Sequence, residues 1–448
     1  MFDQSFSAKN FRKIFDYENR RGVYLEGRFF EDIEKISKDL KFKAKAIREK
    51  RKLGPRGDIE NFELELGALR TEQVKLKEEK NDLLMEHLHK ISREANDKKF
   101  RIGLKQNIKI NEKKVYSAGK TAAAYFALKQ LQYNIRRLYK VKQSDRYQIV
   151  CQIREMLSDK IPKIIIRTDF SDFYESIPSH KLQKQIAEDS LLTKTSQKII
   201  KRILREYHTQ SGDMHGVPRG VGLSAYLVEL YMRRFDEALR AFPGVVYYSR
   251  YVDDVFIIYI PSPERTFDEL RRFLVLQINE HGLNRNRSKT KIQYSNNGQT
   301  HAIEYLGYKF NYGNGEVNLS LTQAKQQKYF DRISLCFDAY ESLKIINEQV
   351  AKQLLVKRIR YLTSNTRLLN NKKNAAVGVY FTNSLITSTD SLRCIDRHLN
   401  RKIATITDPI LKAYLGDFSF TKGFVKKRFR HFSANELKQI VQVWKKHA

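Results

Sequence analysis

VVYYSRYVDDVFIIYI, residues 245–260, is the stretch on which the fold of this chain turns. β-Branched and aromatic residues fill it, Pro243-Gly244 precede it and Pro261 closes it. That composition belongs to buried strand. Two adjacent carboxylates, Asp253 and Asp254, sit in its middle. A buried carboxylate is costly unless it is paired or bound to a cation. Taken alone, the acid pair reads as a hairpin turn or as chance. A second run, KIIIRTDF (163–170), has the same character and carries Asp169 near its end, where an ordinary strand-end acid would also stand. Together the two runs put carboxylates on adjacent strands, which is what two hard divalent cations need.

Composition points to the partner. The 448 residues hold 84 Lys and Arg against 51 Asp and Glu, a net charge of +33. Such an excess disfavours an enzyme of small neutral substrates and favours a polyanion, because each neutralised phosphate releases a condensed counterion. With 41% hydrophobic residues, including 26 Phe and 24 Tyr, the chain is no basic disordered tail. Cys151, Cys336 and Cys394 lie too far apart for a CxxC zinc pattern, and their number is odd, so a reducing cytosol is expected. The start, MFDQSFSAKNFRKIF, has no apolar signal-peptide core, and the apolar runs fall short of a membrane span. The expectation is a cytoplasmic protein that faces nucleic acid, with no membrane.

Outward from the two strands the chain is mostly helical, and the class expected is α+β, helix-rich overall. Aromatics alternate with basic residues through the first 60 positions, and Gly54-Pro55-Arg56-Gly57 reads as a turn. Residues 61–96 carry Leu69, Leu76 and Leu83 seven apart, with Leu66, Leu84, Leu88 and Ile91 nearby, a stripe on a long charged helix, one arm of a helical hairpin. Residues 120–160, 180–209, 223–241 and 264–281 have helical periodicity. EYLGYKFNYGNGEVNLS (304–320) reads as short strands around a Gly-Asn-Gly turn, and from about 322 onward the pattern is helical and basic.

RTDFSDFYESI (167–177), GVPRGVGLS (216–224), SRYVDDVFII (249–258), GLNRNRSKTKI (282–292) and EYLGYKF (304–310) resemble, in order, five sequence blocks of reverse transcriptases. Asp169 and Asp253 are 84 residues apart, a spacing that suits the family. The resemblance implies a right-hand polymerase with fingers, an RRM-like antiparallel palm and a helical thumb. It places an N-terminal extension and fingers at 1–162, the palm at 163–320 with its helices at 180–215, and a basic helical thumb at 321–448.

The resemblance also assigns roles. Asp169, Asp253 and Asp254 are implied metal ligands, Asp254 being the third acid and more often a supporting one than a direct ligand, with the backbone carbonyl of Phe170 completing a shell around two Mg²⁺ ions, for which Mn²⁺ could substitute. Tyr174 stands where the family keeps an aromatic gate beneath the sugar, against the plainer reading of a core aromatic. Lys289 matches the lysine that protonates leaving pyrophosphate, against a solvated surface lysine. Tyr251 belongs to the YxDD block. Arg219 departs from the family's usual Gln at a nucleotide and template contact, and Gly220 beside it would let backbone approach substrate. Arg146 and Arg167 are candidates for triphosphate or template contact, or for ordinary ion pairs. His215, beside the second block, reads as a structural histidine against the alternative of a ligand, and Glu26, in a segment that the resemblance would set near the template, reads as a surface residue.

Several terminal segments, SAKNFRKIFDYENRRG, RYLTSNTRLLNNKKNAAVGVYFTNSL and FTKGFVKKRFRHF, resemble stand-alone bacterial defence-associated reverse transcriptases of the type 3 kind, in which two polymerases work beside a non-coding RNA. Implied partners are an RNA template, DNA product, dNTPs, and a second reverse transcriptase or further copies of this chain. The function expected is RNA-directed DNA synthesis in antiphage defence. Arg219 keeps open a template-independent, protein-primed or unusually templated synthesis. A different class stays open too, a non-catalytic RNA-binding scaffold or maturase-like protein.

Overall fold

A computed structural model describes residues 2–55, 59–107, 112–263, 266–296, 298–368 and 375–445. The chain divides into two compact units, each drawn from separate stretches of sequence. One comprises 1–143, 172–234 and 280–284; the other comprises 144–171, 235–279 and 285–448.

The second unit is built on a four-stranded sheet in the spatial order Val245–Tyr251, Asp254–Tyr259, Lys163–Ser171, Asn284–Ser295. The expected strands are therefore present. The apolar run 245–260 is a hairpin whose turn is Val252-Asp253, and its second strand pairs antiparallel with Lys163–Ser171. Ile165, Phe256 and Ile258 from this sheet enter one hydrophobic cluster with Ile149 and Ile153 of the helix Arg146–Leu157. The same cluster takes in Tyr305 and Phe310 from a three-stranded antiparallel sheet, His301–Tyr305, Tyr308–Gly313 and Glu316–Leu321. Both turns of that sheet are two-residue hairpin turns with positive φ at each position, Leu306-Gly307 and Asn314-Gly315. The Asn-Gly pair is the turn expected from sequence.

Beyond residue 322 the unit is helical, as anticipated, with one exception. Asn365–Leu368 and Ala375–Gly378 form a small antiparallel ladder. Its reason is one buried side chain with distant partners. The buried Asn365 amide donates to the carbonyls of Gly423 and Arg428, and its Oδ1 accepts from the Tyr380 N–H, so backbone pairing outcompetes helix there.

In the first unit, helices Glu31–Leu53 and Ile59–Asn96 pair as a hairpin, fastened by Lys43–Glu72 and Lys50–Glu65. Leu66, Leu84, Leu88, Ile91 and Ala95 form its buried stripe, while Leu69, Leu76 and Leu83 are only half-buried. The seven-residue spacing of those leucines is thus incidental. Of the turn read at 54–57, Gly54 is left-handed at φ +64°, and Arg56 and Gly57 lie outside the described residues. Two expected long helices are each split. Residues 120–160 give Ala122–Tyr139 and Arg146–Leu157, parted after left-handed Lys140; residues 180–209 give Ser179–Asp189 and Lys194–Ser211, parted at left-handed Ser190. Helix periodicity runs straight through such short breaks because the apolar phase is nearly kept across them. The class is α+β and helix-rich.

Candidate active site

Register brings the acids together in the second unit. Asp169 and Asp254 are direct partners across the ladder between Lys163–Ser171 and Asp254–Tyr259. The N–H of Phe170 donates to the carbonyl of Asp253 at 3.1 Å, so the turn carrying Asp253 closes against the strand carrying Asp169. The turn itself is unusual. Val252 has φ +60°, a region that a β-branched residue avoids and that costs on the order of 1–3 kcal/mol.

Each acid has a different surrounding. Asp169 is buried and its Oδ2 accepts from Lys289 Nζ at 2.8 Å. That hydrogen bond, with the charges of Asp169, Asp253 and Asp254, raises Lys289 above the ordinary lysine value. Lys289 reaches this place from the edge strand, whose Thr290 hydroxyl also meets Thr168 Oγ1 at 2.9 Å. Asp254 departs from the expectation of a metal ligand. Both its oxygens accept from Arg167, at 3.1 and 2.9 Å. Burial pushes its carboxyl up from the ordinary value, and the Arg167 guanidinium pulls the other way without cancelling the rise. Arg167 also donates to the Glu304 carbonyl at 2.6 Å, and the Tyr305 hydroxyl donates to the Asp254 carbonyl at 2.9 Å. Arg167 is therefore an internal ion-pair residue here, rather than a contact for triphosphate.

A divalent cation would find Asp169, Asp253 and the Phe170 carbonyl. The donors are hard oxygens, as Mg²⁺ requires. The ammonium on Asp169 marks a place where positive charge is already drawn in. Among the described residues no group of three or more acidic, His or Cys side chains is arranged around a common metal position.

The other sequence-singled residues of this unit serve its framework. Arg146, first in its helix after the cap Asp145, donates from Nε to the carbonyl of left-handed Leu306 at 3.0 Å and lies over the Tyr308 ring. It holds the 306–307 turn. Tyr251 is half-buried and pairs with Asp254 across the hairpin. Sequence reasoning passed over Lys325, whose ammonium lies 4.7 Å from the Tyr308 ring centroid. Burial, and then the charges of Arg146 and Lys328, pull Lys325 down from 10.5 to about 7. The unfolded chain keeps the higher value, so stability rises with pH across about 7 to 10.5 and is level below that window. Lys325→Met is expected to remove this rise. Urea unfolding at about pH 6.5 and about pH 9 checks it: the parent gains stability at the higher pH and the variant gains less.

The first unit holds the remaining residues. Tyr174 lies in the short helix Phe173–Ser176 and its carbonyl accepts from the Val217 N–H at 2.8 Å. Arg219 does not stand free. Its Nε and Nη2 donate to the two oxygens of Glu175, each at 2.8 Å, and its guanidinium lies 5.0 Å from the Tyr174 ring centroid. Gly220, at φ +93°, is required by the protein itself. A Cβ there would come within 2.5 Å of Val115 Cγ1 and 2.7 Å of the Tyr116 carbonyl. Close approach to substrate is not needed to explain it. Glu26, read as a surface residue, is buried and held by Lys80 and Ser37, at 2.7 Å each. His215 lies 6.3 Å from His180, ring to ring.

Residues 87–310, half of the chain, match the family model described as reverse transcriptase (RNA-dependent DNA polymerase). No curated protein matches. Solved structures that resemble the chain include apo telomerase from Candida tropicalis, at 12% identity and a TM-score of 0.40, covering 78% of this chain and 62% of that one. A form of the same enzyme truncated from the C-terminal domain matches at 14% identity and a TM-score of 0.36, over 48% and 54% of the two chains. Telomerase from Candida albicans in complex with a fragment of telomeric RNA matches at 14% identity and 0.33, over 71% and 56%. The chain thus spans 54–62% of the length of these telomerase chains.

Proposed function

The chain belongs to the reverse transcriptase family, and from that membership we propose that it is an RNA-directed DNA polymerase acting through Asp169 and Asp253. The observation that carries the reading is the register that opposes Asp169 to Asp254 while the Phe170 N–H holds the Asp253 turn, inside the matched segment. The family generally uses divalent metal ions. When bound at these carboxylates, such ions would acidify an attacking 3′-hydroxyl and neutralise charge on a leaving pyrophosphate.

This chain's own residues do the rest. Asp169 and Asp253 supply fixed negative charge, Asp169 from a buried position that keeps its oxygens from wandering. Lys289, held protonated by Asp169, has the proton a departing pyrophosphate takes up. Arg167 holds both oxygens of Asp254 in place and so fixes the strand that follows the turn. A net charge of +33 suits a duplex of RNA template and DNA product. Within this reading Mg²⁺ is the metal, the template is a cognate non-coding RNA, and the setting is bacterial antiphage defence, as the terminal segments suggest. The experiment is primer extension by the purified protein with Mg²⁺ and dNTPs, with product sequenced against the RNA that accompanies it.

Tyr174 acts as the sugar gate in this reading, with Arg219 and Glu175 bracing its ring. Arg219→Gln removes the guanidinium from both partners. A partly exposed pair of this kind is worth about 1 kcal/mol, so discrimination between dNTP and rNTP should relax roughly fivefold. The ratio of kcat/KM values for dGTP and GTP checks it. An unchanged ratio would separate Arg219 from sugar selection.

A further inference from the structure

Arg250 is almost fully buried, 3% exposed, three residues before Asp253, and nothing in the chemistry above employs it. Its guanidinium donates to a carboxylate and to a turn carbonyl. Nε and Nη2 donate to Asp236 Oδ1 and Oδ2 at 2.9 and 2.8 Å. Nη1 donates at 2.8 Å to the carbonyl of Val252, the residue with left-handed backbone. Asp236, itself 8% exposed, also accepts from the Tyr248 hydroxyl at 2.6 Å, and the Arg250 carbonyl accepts from Ser144 Oγ at 2.6 Å. The two residues of the turn are thus tied by their carbonyls, Val252 to Arg250 and Asp253 to the Phe170 N–H.

A buried ion pair that served only the core would need nothing beyond its two carboxylate bonds. Here the planar guanidinium is locked by Asp236, and its remaining edge grips the one turn carbonyl whose residue has reason to relax. Val252 released from that grip would leave φ +60° for the β region, and the side chain of the next residue would swing with it.

We propose that Arg250 and Asp236 are positioning residues that hold the left-handed Val252 turn and thereby aim the Asp253 carboxylate. The assignment rests on Asp253 being the catalytic acid proposed above. Losing the brace lowers kcat while leaving dNTP affinity nearly intact, because the groups it misplaces act on the reacting atoms.

The test compares steady-state primer extension and thermal unfolding for the parent, Arg250→Lys, Asp236→Asn, Arg250→Lys with Val252→Asn, Asp253→Asn, and Leu392→Ala as a core control. Lysine keeps the charge and cannot bridge both Asp236 and Val252. Assayed well below each unfolding temperature, Arg250→Lys and Asp236→Asn are expected to lose kcat by roughly a hundredfold with the dNTP KM within about twofold. Asn tolerates left-handed backbone, so adding Val252→Asn to Arg250→Lys should recover about tenfold of that loss. Leu392→Ala, buried in the same unit, should lose thermal stability and keep kcat. Parental kcat in Arg250→Lys, or no recovery on adding Val252→Asn, would overturn the brace while Asp253→Asn stays inactive. Synthesis by Asp253→Asn would instead overturn the polymerase assignment beneath it.

Discussion

Asp253→Asn is expected to lower dNTP incorporation by about a thousandfold or more, the largest effect of any single change considered. Asparagine matches aspartate in shape and has no charge to offer a cation. The bond that fixes the turn is made by the Asp253 carbonyl, which the substitution leaves in place. Folding and nucleic-acid affinity should therefore survive, and the loss should fall on kcat. Asp169→Asn should be equally inactive with one difference. It also removes the anionic partner of Lys289, whose ammonium is then held only by the more distant charges of Asp253 and Asp254. Labelled-nucleotide primer extension, with binding measured separately, reads both. Undiminished synthesis in either variant would strip that residue of its role.

The second large effect is on stability. Arg167→Met leaves the mostly buried Asp254 carboxylate without the guanidinium that holds both its oxygens. Breaking a pair of this kind costs on the order of 3 kcal/mol at neutral pH. Burial has already raised Asp254 above its unfolded value of 3.8, and losing Arg167 raises it further. A carboxyl with a raised folded pKa takes up its proton in the native state first as pH falls. The penalty is thus present above the folded pKa and fades as pH drops through it. Unfolding temperatures of parent and variant should converge between about pH 7.5 and about pH 5. Adding Asp254→Asn to Arg167→Met should recover part of the loss at pH 7.5. A gap that is the same at both pH values would mean that the uncompensated charge is not its cause.

Much of this was legible in the amino-acid sequence, and what was not has a physical reason. The strands 163–171 and 245–259 declare themselves because β-branched runs of that length fit buried strand, and an acid set within one must find a counter-charge. The Asn314-Gly315 turn is written in its residues. The ladder at 365–378 was hidden, because its cause is one buried asparagine whose partners lie some 60 residues on, in the 423–428 segment. The leucines at 69, 76 and 83 misled because spacing alone does not say which face a long exposed helix buries.

At the site, the acids were visible and their pairings were not. Arg219 reads as a substrate contact, and Arg167 as either a substrate contact or an ordinary ion pair, because arginine near a catalytic block has both uses. Each is committed to a carboxylate of its own unit, Glu175 and Asp254 respectively, and no local spacing announces a bond across 44 or 87 residues. Arg250 and Asp236 were passed over although a signal existed. An arginine inside the apolar run VVYYSRYV, and an acid in the preceding helix, are buried charges that must find each other. Gly220 has a second reason to be glycine that no spacing shows, since a Cβ there would meet Val115 and Tyr116.

The most direct measurement supplies the purified protein with a DNA primer on an RNA template of chosen sequence, Mg²⁺ and all four dNTPs, and sequences the product. DNA complementary to the chosen template, absent with Asp253→Asn and absent when the RNA is digested beforehand, is the result expected of a reverse transcriptase working through these acids. DNA that ignores the template, or the same product from Asp253→Asn, would contradict it.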